Sequence, residues 1–364
     1  MTDKFDYDLF IVGAGSGGVR AARMAASQGA RVGVAEDRDL GGTCVNVGCV
    51  PKKLFVYASK FPDIFHIGNS YGWSFDSAKF DWHALRDNKN SEIARLNTIY
   101  ADLLNSSGAD LFSERAFLKG PNTVIVGGKS YSARYILLAV GGWPYIPEFP
   151  GSQYALSSNE MFFLERLPET AVVVGGGYIA LEFAGILNGL GVSTHLIYRG
   201  QRLLKSFDSE MTDKVEQGMR SKGVKIHLNT KVDSIEFVNE SHDVFLSDGR
   251  CVSADLVLYA TGRRANTNHL GLENTSVKTR HDGSIIVDKD FRTHEPSIFA
   301  LGDVIDRVQL TPVAIQEAMV LVDHLFGKAE QTIDYLNIPT AVFSQPEFAS
   351  VGLTEEQAKE KSAD

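Results

Sequence analysis

Apolar runs broken by glycine recur at two places along the chain and predict the same local structure at each. In "DYDLFIVGAGSGG" an apolar run ends in Gly13, Gly15 and Gly18. That is the pattern of a buried strand entering a glycine turn. "VRAARMAASQGA" follows with small residues at helical spacing, and "RVGVAE" reads as a second strand ending in the acid Glu36. Thr170 to Arg199 repeats the plan in "TAVVVGGGYIALEFAGILNGLGVSTHLIYR", with Gly175, Gly177 and Ala180 at the same three positions and 162 residues between Gly13 and Gly175. Between and after these repeats, residues ~55–115 read as helix and loop, with "SEIARLNTIYADLLNSSGA" an amphipathic helix ending near Gly108. "ARYILLAVGGWPYIP", "ADLVLYATGRRAN" and "SIFALGDVID" read as buried strands leading into turns. "LTPVAIQEAMVLVDHLFG" reads as a long helix closed by Gly327, "TAVFS" as a strand and "TEEQAKEKSA" as a helix.

A strand–glycine turn–helix–strand unit is the context in which a glycine fingerprint carries meaning. The first Gly permits the tight turn, the second lets backbone approach a pyrophosphate, and the third lets helix and strand pack closely. The helix N-terminus then offers unpaired N–H groups and partial positive charge to phosphates. Two such units predict two dinucleotide sites; the bland alternative is two α/β units that bind nothing. The second strands end differently. Glu36 is placed to accept hydrogen bonds from a ribose and to repel a 2′-phosphate; alternatively it is a solvated strand-end acid. The second strand ends in "LIYRGQRLLK", where Arg199, Arg202 and Lys205 take the place of an acid. A charge-assisted hydrogen bond is worth about 1.5–3 kcal/mol. Two would select NADPH over NADH, unless the cluster is simply a basic solvated turn.

Composition narrows the class. The chain has 364 residues, 44% hydrophobic and 22% charged, which suits two or three globular domains. A formal net charge of −9 argues against general binding to nucleic acid or acidic membranes. The N-terminus "MTDKFDYDLF" has charges where a signal peptide needs an apolar core, and no apolar run approaches a membrane span. The expected location is the cytoplasm. Three cysteines are too few for a disulfide scaffold, and the nine histidines are scattered, so no metal site is expected. Two of the cysteines, Cys44 and Cys49, lie in "GGTCVNVGCVPKK". They are read as metal ligands, as inert buried thiols or as a redox pair. Redox chemistry is favoured by a reducing compartment, by flanking glycines and by Lys52 and Lys53, which are expected to lower a thiol's pKa. An oxidised pair can accept two electrons, and a reduced pair can attack an external disulfide.

With these motifs in place, the chain resembles the pyridine nucleotide–disulfide oxidoreductases over essentially its whole length, and is most similar to the branch that reduces glutathione disulfide. The resemblance implies an α/β fold of two Rossmann-like dinucleotide-binding domains plus the start of an α+β interface domain. The expected boundaries are 1–147 for the first part of the FAD domain, 148–266 for the NADPH domain, 267–336 for the second part of the FAD domain and 337–364 for the start of the dimerisation domain. It implies Cys44 as the thiol that attacks glutathione disulfide and Cys49 as the thiol beside the flavin. Lys52 pairs with Glu182 near the flavin, and Tyr178 covers the nicotinamide pocket. FAD is assigned Gly13, Gly15, Ser16, Gly17, Gly18, Glu36, Thr43, Asp303 and Thr311; NADPH is assigned Gly175, Gly177, Ile179, Arg199 and Lys205; Arg263 is placed near the cofactors, and Gly142 and Gly262 are further cofactor-binding positions. Arg23 is assigned a glutathione carboxylate. Arg20 and Met319 depart from the animal enzymes, and "GAGSGGVRAAR" is closer to plant-type and bacterial members. Mercuric, trypanothione and lipoamide-type reductases are the alternatives within the family, and a non-catalytic fragment that binds FAD and NADPH is the alternative outside it. The family's final domain carries an acid/base histidine in a His-Pro motif, which does not occur in these residues. About 28 residues of that domain are present, against ~100 more in a typical one. The expectation is therefore an incomplete, weakly active chain of a protein that is a homodimer when complete.

Overall fold

The structure, a computed structural model, describes residues 5–75, 78–327 and 332–362. The chain forms two compact units, each assembled from three stretches. The first comprises Met1–Val50, Ser91–Trp143 and Arg263–Tyr335; the second comprises Pro51–Asn90, Pro144–Gly262 and Leu336–Asp364.

In the first unit, the strand Tyr7–Val12 lies between Val32–Ala35 and Lys129–Leu138, parallel to both, with Leu9 opposite Val32 and Tyr135. Leu9, Phe10 and Ile11 are fully buried. Burial on both faces is why this strand reads as a continuous apolar run rather than an alternation. Among the described residues the sheet has seven strands. Asp110–Phe112 extends it parallel to Val32–Ala35, and Ile298–Ala300 joins Lys129–Leu138. Thr123–Val126 and Ala116–Gly120 add an antiparallel meander that the sequence reading passed over. Their alternating burial marks half-exposed strands. The helix Ser16–Ser27 follows the first strand and buries Ala21, Ala22 and Ala25 completely. It packs against the helix Thr311–Phe326. That approach is close: a Cβ on Gly17 would lie 2.4 Å from Leu301 Cδ1 and 3.2 Å from the Ala314 carbonyl.

The second unit repeats the motif. Its parallel sheet has the order Lys225–His227, Ser193–Ile197, Thr170–Val174, Leu256–Tyr259. The helix Tyr178–Gly189 is buried from Ala180 through Leu187. A three-stranded antiparallel sheet, Val232–Val238, Ser241–Leu246 and Cys251–Ala254, was not anticipated from the sequence. Thr340–Val342 pairs antiparallel with Phe348–Ser350. The expected strand "TAVFS" therefore stops at Val342, because the next N–H, on Phe343, is used by a side chain described below. The terminal helix covers Glu355–Ser362, and Ala363 lies outside the described residues. The helix expected before Gly108 starts earlier than its apolar pattern suggested and runs Trp82–Ser107.

At Gly18 a Cβ would sit 1.9 Å from the Gly13 carbonyl oxygen. Gly18→Ala is expected to cost ~1–3 kcal/mol in urea unfolding through overpacking. Gly120→Ala, whose Cβ would meet nothing within 4 Å, is expected to stay within ~0.5 kcal/mol of the parent.

Candidate active site

The first unit's glycine turn leaves a cradle. Gly13 has φ 103°, and a Cβ there would lie 2.5 Å from the Ala139 carbonyl. Gly15 caps the helix Ser16–Ser27 with extended backbone and no side-chain bond. The first N–H groups of that helix, from Ser16 onward, thus lack a side-chain acceptor. Gly15 is open on its Cβ side except for Gly42, and a Cβ on Gly42 would come within 2.7 Å of Gly15 Cα. Glu36, just after the second strand, accepts the Ala14 N–H at 2.7 Å and the Arg38 N–H at 3.1 Å. Burial pushes its pKa up against these two bonds. Asp303 follows Gly302 directly, and burial raises its pKa too, opposed by Arg263 at 3.7 Å. Arg263 also donates to the Gly142 carbonyl and, at 3.5 Å, to Thr43 Oγ1. A backbone lacking Cβ atoms, an uncapped helix start and two separate half-buried carboxylates fit a dinucleotide with a pyrophosphate and polyol hydroxyls, as FAD has.

The cysteines lie in this same unit. Cys44 is on the short helix Gly42–Asn46, and Cys49 opens the helix Cys49–Ser59. Gly48 makes the turn between them, since a Cβ there would press to 2.7 Å from the Thr43 carbonyl. Both cysteines stand as thiols. The Cys44 thiol is pushed well up, first by its hydrogen bond with Cys49 and then by burial. At Cys44 this runs opposite to the depression expected from the lysines that follow in the sequence. Thr311 Oγ1 lies 3.9 Å from Cys49 Sγ.

Sequence reasoning missed two features around the pair. Buried Asn46 donates to the Leu40 and Gly42 carbonyls, each at 3.0 Å, while Asn97 donates to Leu40 O and Asn46 Oδ1, each at 2.9 Å. These bonds clamp the cysteine loop. Tyr100, within the segment read as an amphipathic helix, has a phenol raised first by burial and then by Cys44, with Arg20 and Arg23 opposing. The expected substrate arginines therefore share an electrostatic neighbourhood with Cys44. Only a helical-wheel comparison with Asn97 signalled these residues in the sequence.

In the second unit, Gly175 has φ 148°, and a Cβ there would lie 2.3 Å from the Ala260 carbonyl. Gly177 caps the helix Tyr178–Gly189 without a side-chain bond and with open space around it. Tyr178 and Ile179, its first two residues, are half-buried. Gly262 has φ 128°, and its carbonyl accepts the Tyr145 N–H at 3.0 Å. Arg199 and Lys205 are exposed. Their loop is tied to the glycine turn by the Leu204 N–H on the Gly176 carbonyl at 2.7 Å. Neither Gly176 nor Gly200 has room for a Cβ beside the Tyr198 ring, which a Cβ would approach to 2.5 and 2.6 Å. Arg202 turns away from this cluster, to the Lys205 carbonyl at 3.4 Å and Glu356 at 3.9 Å. Of the three basic residues, Arg199 and Lys205 remain available to a phosphate. The uncapped helix and these two cations fit a 2′-phosphorylated dinucleotide.

Lys52 Nζ lies 2.7 Å from Glu182 Oε1, with side-chain exposures of 12% and 3%. The Phe343 N–H donates to the same oxygen at 2.9 Å. Lys52 and Lys53 also lie over the Phe343 ring, at 4.2 and 3.8 Å from its centre. Burial pushes the Glu182 pKa up, and Lys52 is the largest opposing influence. Phe343 had no recognisable signal in the sequence. Among the described residues, no group of three or more His, Cys, Asp or Glu could hold a metal ion, and no helix is long and apolar enough to cross a membrane.

Comparison with known proteins gives the family. A family described as pyridine nucleotide-disulphide oxidoreductase matches residues 7–318, and the dimerisation domain of the same family matches residues 338–364. The chain is similar to a glutathione reductase of Burkholderia cepacia, 43% identical over 358 residues, covering 98% of this chain and 80% of the relative. A glutathione reductase of Nostoc sp. is 42% identical over 372 residues, covering 99% and 81%. A chloroplastic/mitochondrial glutathione reductase of Pisum sativum is 45% identical over 373 residues, covering 99% and 68%.

Lys52→Met is expected to leave Glu182 buried without its cation and to cost ~3–5 kcal/mol in chemical denaturation. Glu182 has a raised folded pKa, so the native state holds a proton that the unfolded chain releases. Its contribution to stability therefore falls as pH rises from the unfolded value through the folded one. Lys52→Met should raise that pKa further and extend the falling limb to higher pH, measured as denaturation midpoint against pH beside Glu182→Gln, which lacks it.

Proposed function

The chain belongs to the pyridine nucleotide-disulphide oxidoreductase family, and from that we propose that it reduces glutathione disulfide with NADPH, using FAD and the Cys44–Cys49 pair. The observation that carries this reading is the pair itself: two mutually hydrogen-bonded thiols in the unit that also holds the first dinucleotide cradle. FAD supplies two-electron chemistry that links a nicotinamide donor to a disulfide. The first unit would hold it through Gly13, Gly15, Ser16, Gly17, Gly18, Glu36, Thr43, Gly142, Arg263, Asp303 and Thr311. The second would hold NADPH through Gly175, Gly177, Ile179, Arg199, Lys205 and Gly262, with Tyr178 beside the nicotinamide.

The residues' own steps follow from thiol–disulfide exchange. The Cys44 thiolate attacks one sulfur of glutathione disulfide and displaces one glutathione thiolate, which takes a proton. Cys49 then attacks Cys44 in the mixed disulfide, releases the second glutathione and leaves a Cys44–Cys49 disulfide. Two electrons from NADPH restore the two thiols. Because its bond to Cys49 and its burial hold Cys44 as a thiol, attack requires a base to remove its proton. Arg20 and Arg23 would meet the carboxylates of glutathione, and the Lys52–Glu182 pair would keep a fixed charge at its site. A cytoplasmic homodimer is the assembly we propose, supported by the match of residues 338–364 to a dimerisation domain.

NADPH oxidation measured with glutathione disulfide, lipoamide, trypanothione disulfide and mercuric ion tests the substrate; a rate highest with any of the last three would replace this reading. Cys49→Ser is expected to abolish the long-wavelength absorbance that develops on partial reduction, and unchanged absorbance would remove the pair from the electron path. Arg199→Ala and Lys205→Ala are each expected to raise KM for NADPH about 10- to 100-fold, the equivalent of one charge-assisted bond, and to leave KM for NADH within about twofold.

A further inference from the structure

The long helix Thr311–Phe326 carries one acid in its buried face. Glu317 is 1% exposed and sits among Ala314, Ala318 and Leu321, which are also buried. Neither of its oxygens contacts a cation directly among the bonds that define its place. One oxygen accepts the Gly302 N–H at 2.6 Å; the other accepts the Tyr335 hydroxyl at 2.7 Å. Arg307 donates to that hydroxyl at 3.2 Å and to the Asp288 carbonyl at 2.5 Å. Gly302 has φ 76°, and a Cβ on it would press on Ala314 at 3.3 Å. The turn is thus held against the helix by the Ala314 side chain on one side and by Glu317 on the other. The next residue is Asp303.

A carboxylate in an apolar core is costly, and a leucine would pack there at less expense. What a leucine cannot do is accept the Gly302 N–H, which would then be buried without a partner. We propose that Glu317 is a positioning residue: it fixes the Gly302–Asp303 turn and thereby sets the Asp303 carboxylate where FAD is bound. This rests on the assignment of Asp303 to FAD above. Position is the essential property, so reach matters more than charge. Glutamine has the reach and keeps an acceptor oxygen for Gly302. Aspartate keeps the charge but falls one methylene short.

The test is the rate at which FAD leaves the purified holoprotein on dilution, followed by the rise in flavin fluorescence, with NADPH affinity measured on the same preparations. Glu317→Leu is expected to speed release at least tenfold and Glu317→Asp at least fivefold, with Glu317→Gln within threefold of the parent and NADPH affinity within twofold throughout. Release from Glu317→Leu within twofold of the parent would overturn the inference. So would Glu317→Gln as fast as Glu317→Asp, a ranking that decides the matter even if the leucine variant does not fold. A parent protein with no affinity for FAD would overturn the underlying assignment and this inference with it. A parent that binds FAD, with all three variants unmoved, would overturn the inference alone.

Discussion

Backbone pressed against backbone is the constraint on which both units depend. The Gly13 carbonyl occupies the place where a Cβ on Gly18 would stand, and the Ala139 carbonyl does the same to Gly13. The second unit reproduces the latter contact between Gly175 and the Ala260 carbonyl. At Gly13 and Gly175 the crowding atom lies just past the end of the neighbouring parallel strand, and at Gly18 it belongs to the glycine turn itself. The helix can therefore begin immediately after the strand, with its first N–H groups directed outward and no side chain in front of them. Any larger residue would push the helix away from the sheet and withdraw those donors from a phosphate. The same economy extends to the cysteine loop, whose Gly42 lies against Gly15 and whose Gly48 lies against the Thr43 carbonyl. The cradle and the loop are thus parts of one close-packed backbone within the first unit.

The second organising fact is the treatment of acids wholly or partly withdrawn from solvent. Glu36, Asp303 and Glu317 in the first unit and Glu182 in the second all have pKa values raised chiefly by burial. Each is met differently: by backbone N–H groups at Glu36, by Arg263 at Asp303, by a backbone N–H and a phenol at Glu317, and by Lys52 with a backbone N–H at Glu182. Asp8, nearer the surface, behaves in the opposite sense. It is lowered by its hydrogen bonds and ion pair with Arg31. Its contribution to stability is present above the unfolded pKa and is lost as pH falls through the folded one. These four acids instead detract from stability as pH rises from their unfolded values through their folded ones. Their withdrawal from solvent is a cost to the fold, and it falls on residues assigned to or beside the proposed cofactor sites.

How much of this was readable in the sequence follows the range of the interactions. Both glycine fingerprints, Glu36 and the cysteine spacing were legible because each is decided within about twenty residues of chain. So was the helix carrying Thr311, although nothing in its pattern announced that Glu317 would reach back to Gly302. Features set by distant partners were not legible. Asn46 and Asn97 are 51 residues apart and form one clamp. Arg202 looks like a phosphate ligand from its neighbours, yet it is drawn to Glu356, 154 residues further along. Lys52 and Lys53 suggested thiolate stabilisation by proximity in sequence, whereas Lys52 is paired with Glu182, 130 residues away. The strands within 116–126 and 232–254 are exposed or half-buried at most positions, so they lack the continuous apolar runs that marked the parallel strands.

The Lys52–Glu182 pair also shows why the second unit needs all three of its stretches. Lys52 comes from the first, Glu182 from the second and Phe343 from the third. The third is anchored close by: Gln345 Nε2 donates to Ser59 Oγ at 2.7 Å, and Lys60 pairs with Glu347. Gly218 would have no room for a Cβ beside Pro346, 2.3 Å away. These contacts hold Phe343 so that its N–H meets Glu182 and its ring lies under both lysines. A main-chain donor is indifferent to which side chain it carries, so substitution at Phe343 would remove the ring and leave the N–H. Only displacement of the whole segment would remove both. The charge state of Glu182 is consequently tied to the docking of residues 338–350, and not merely to the lysine that faces it.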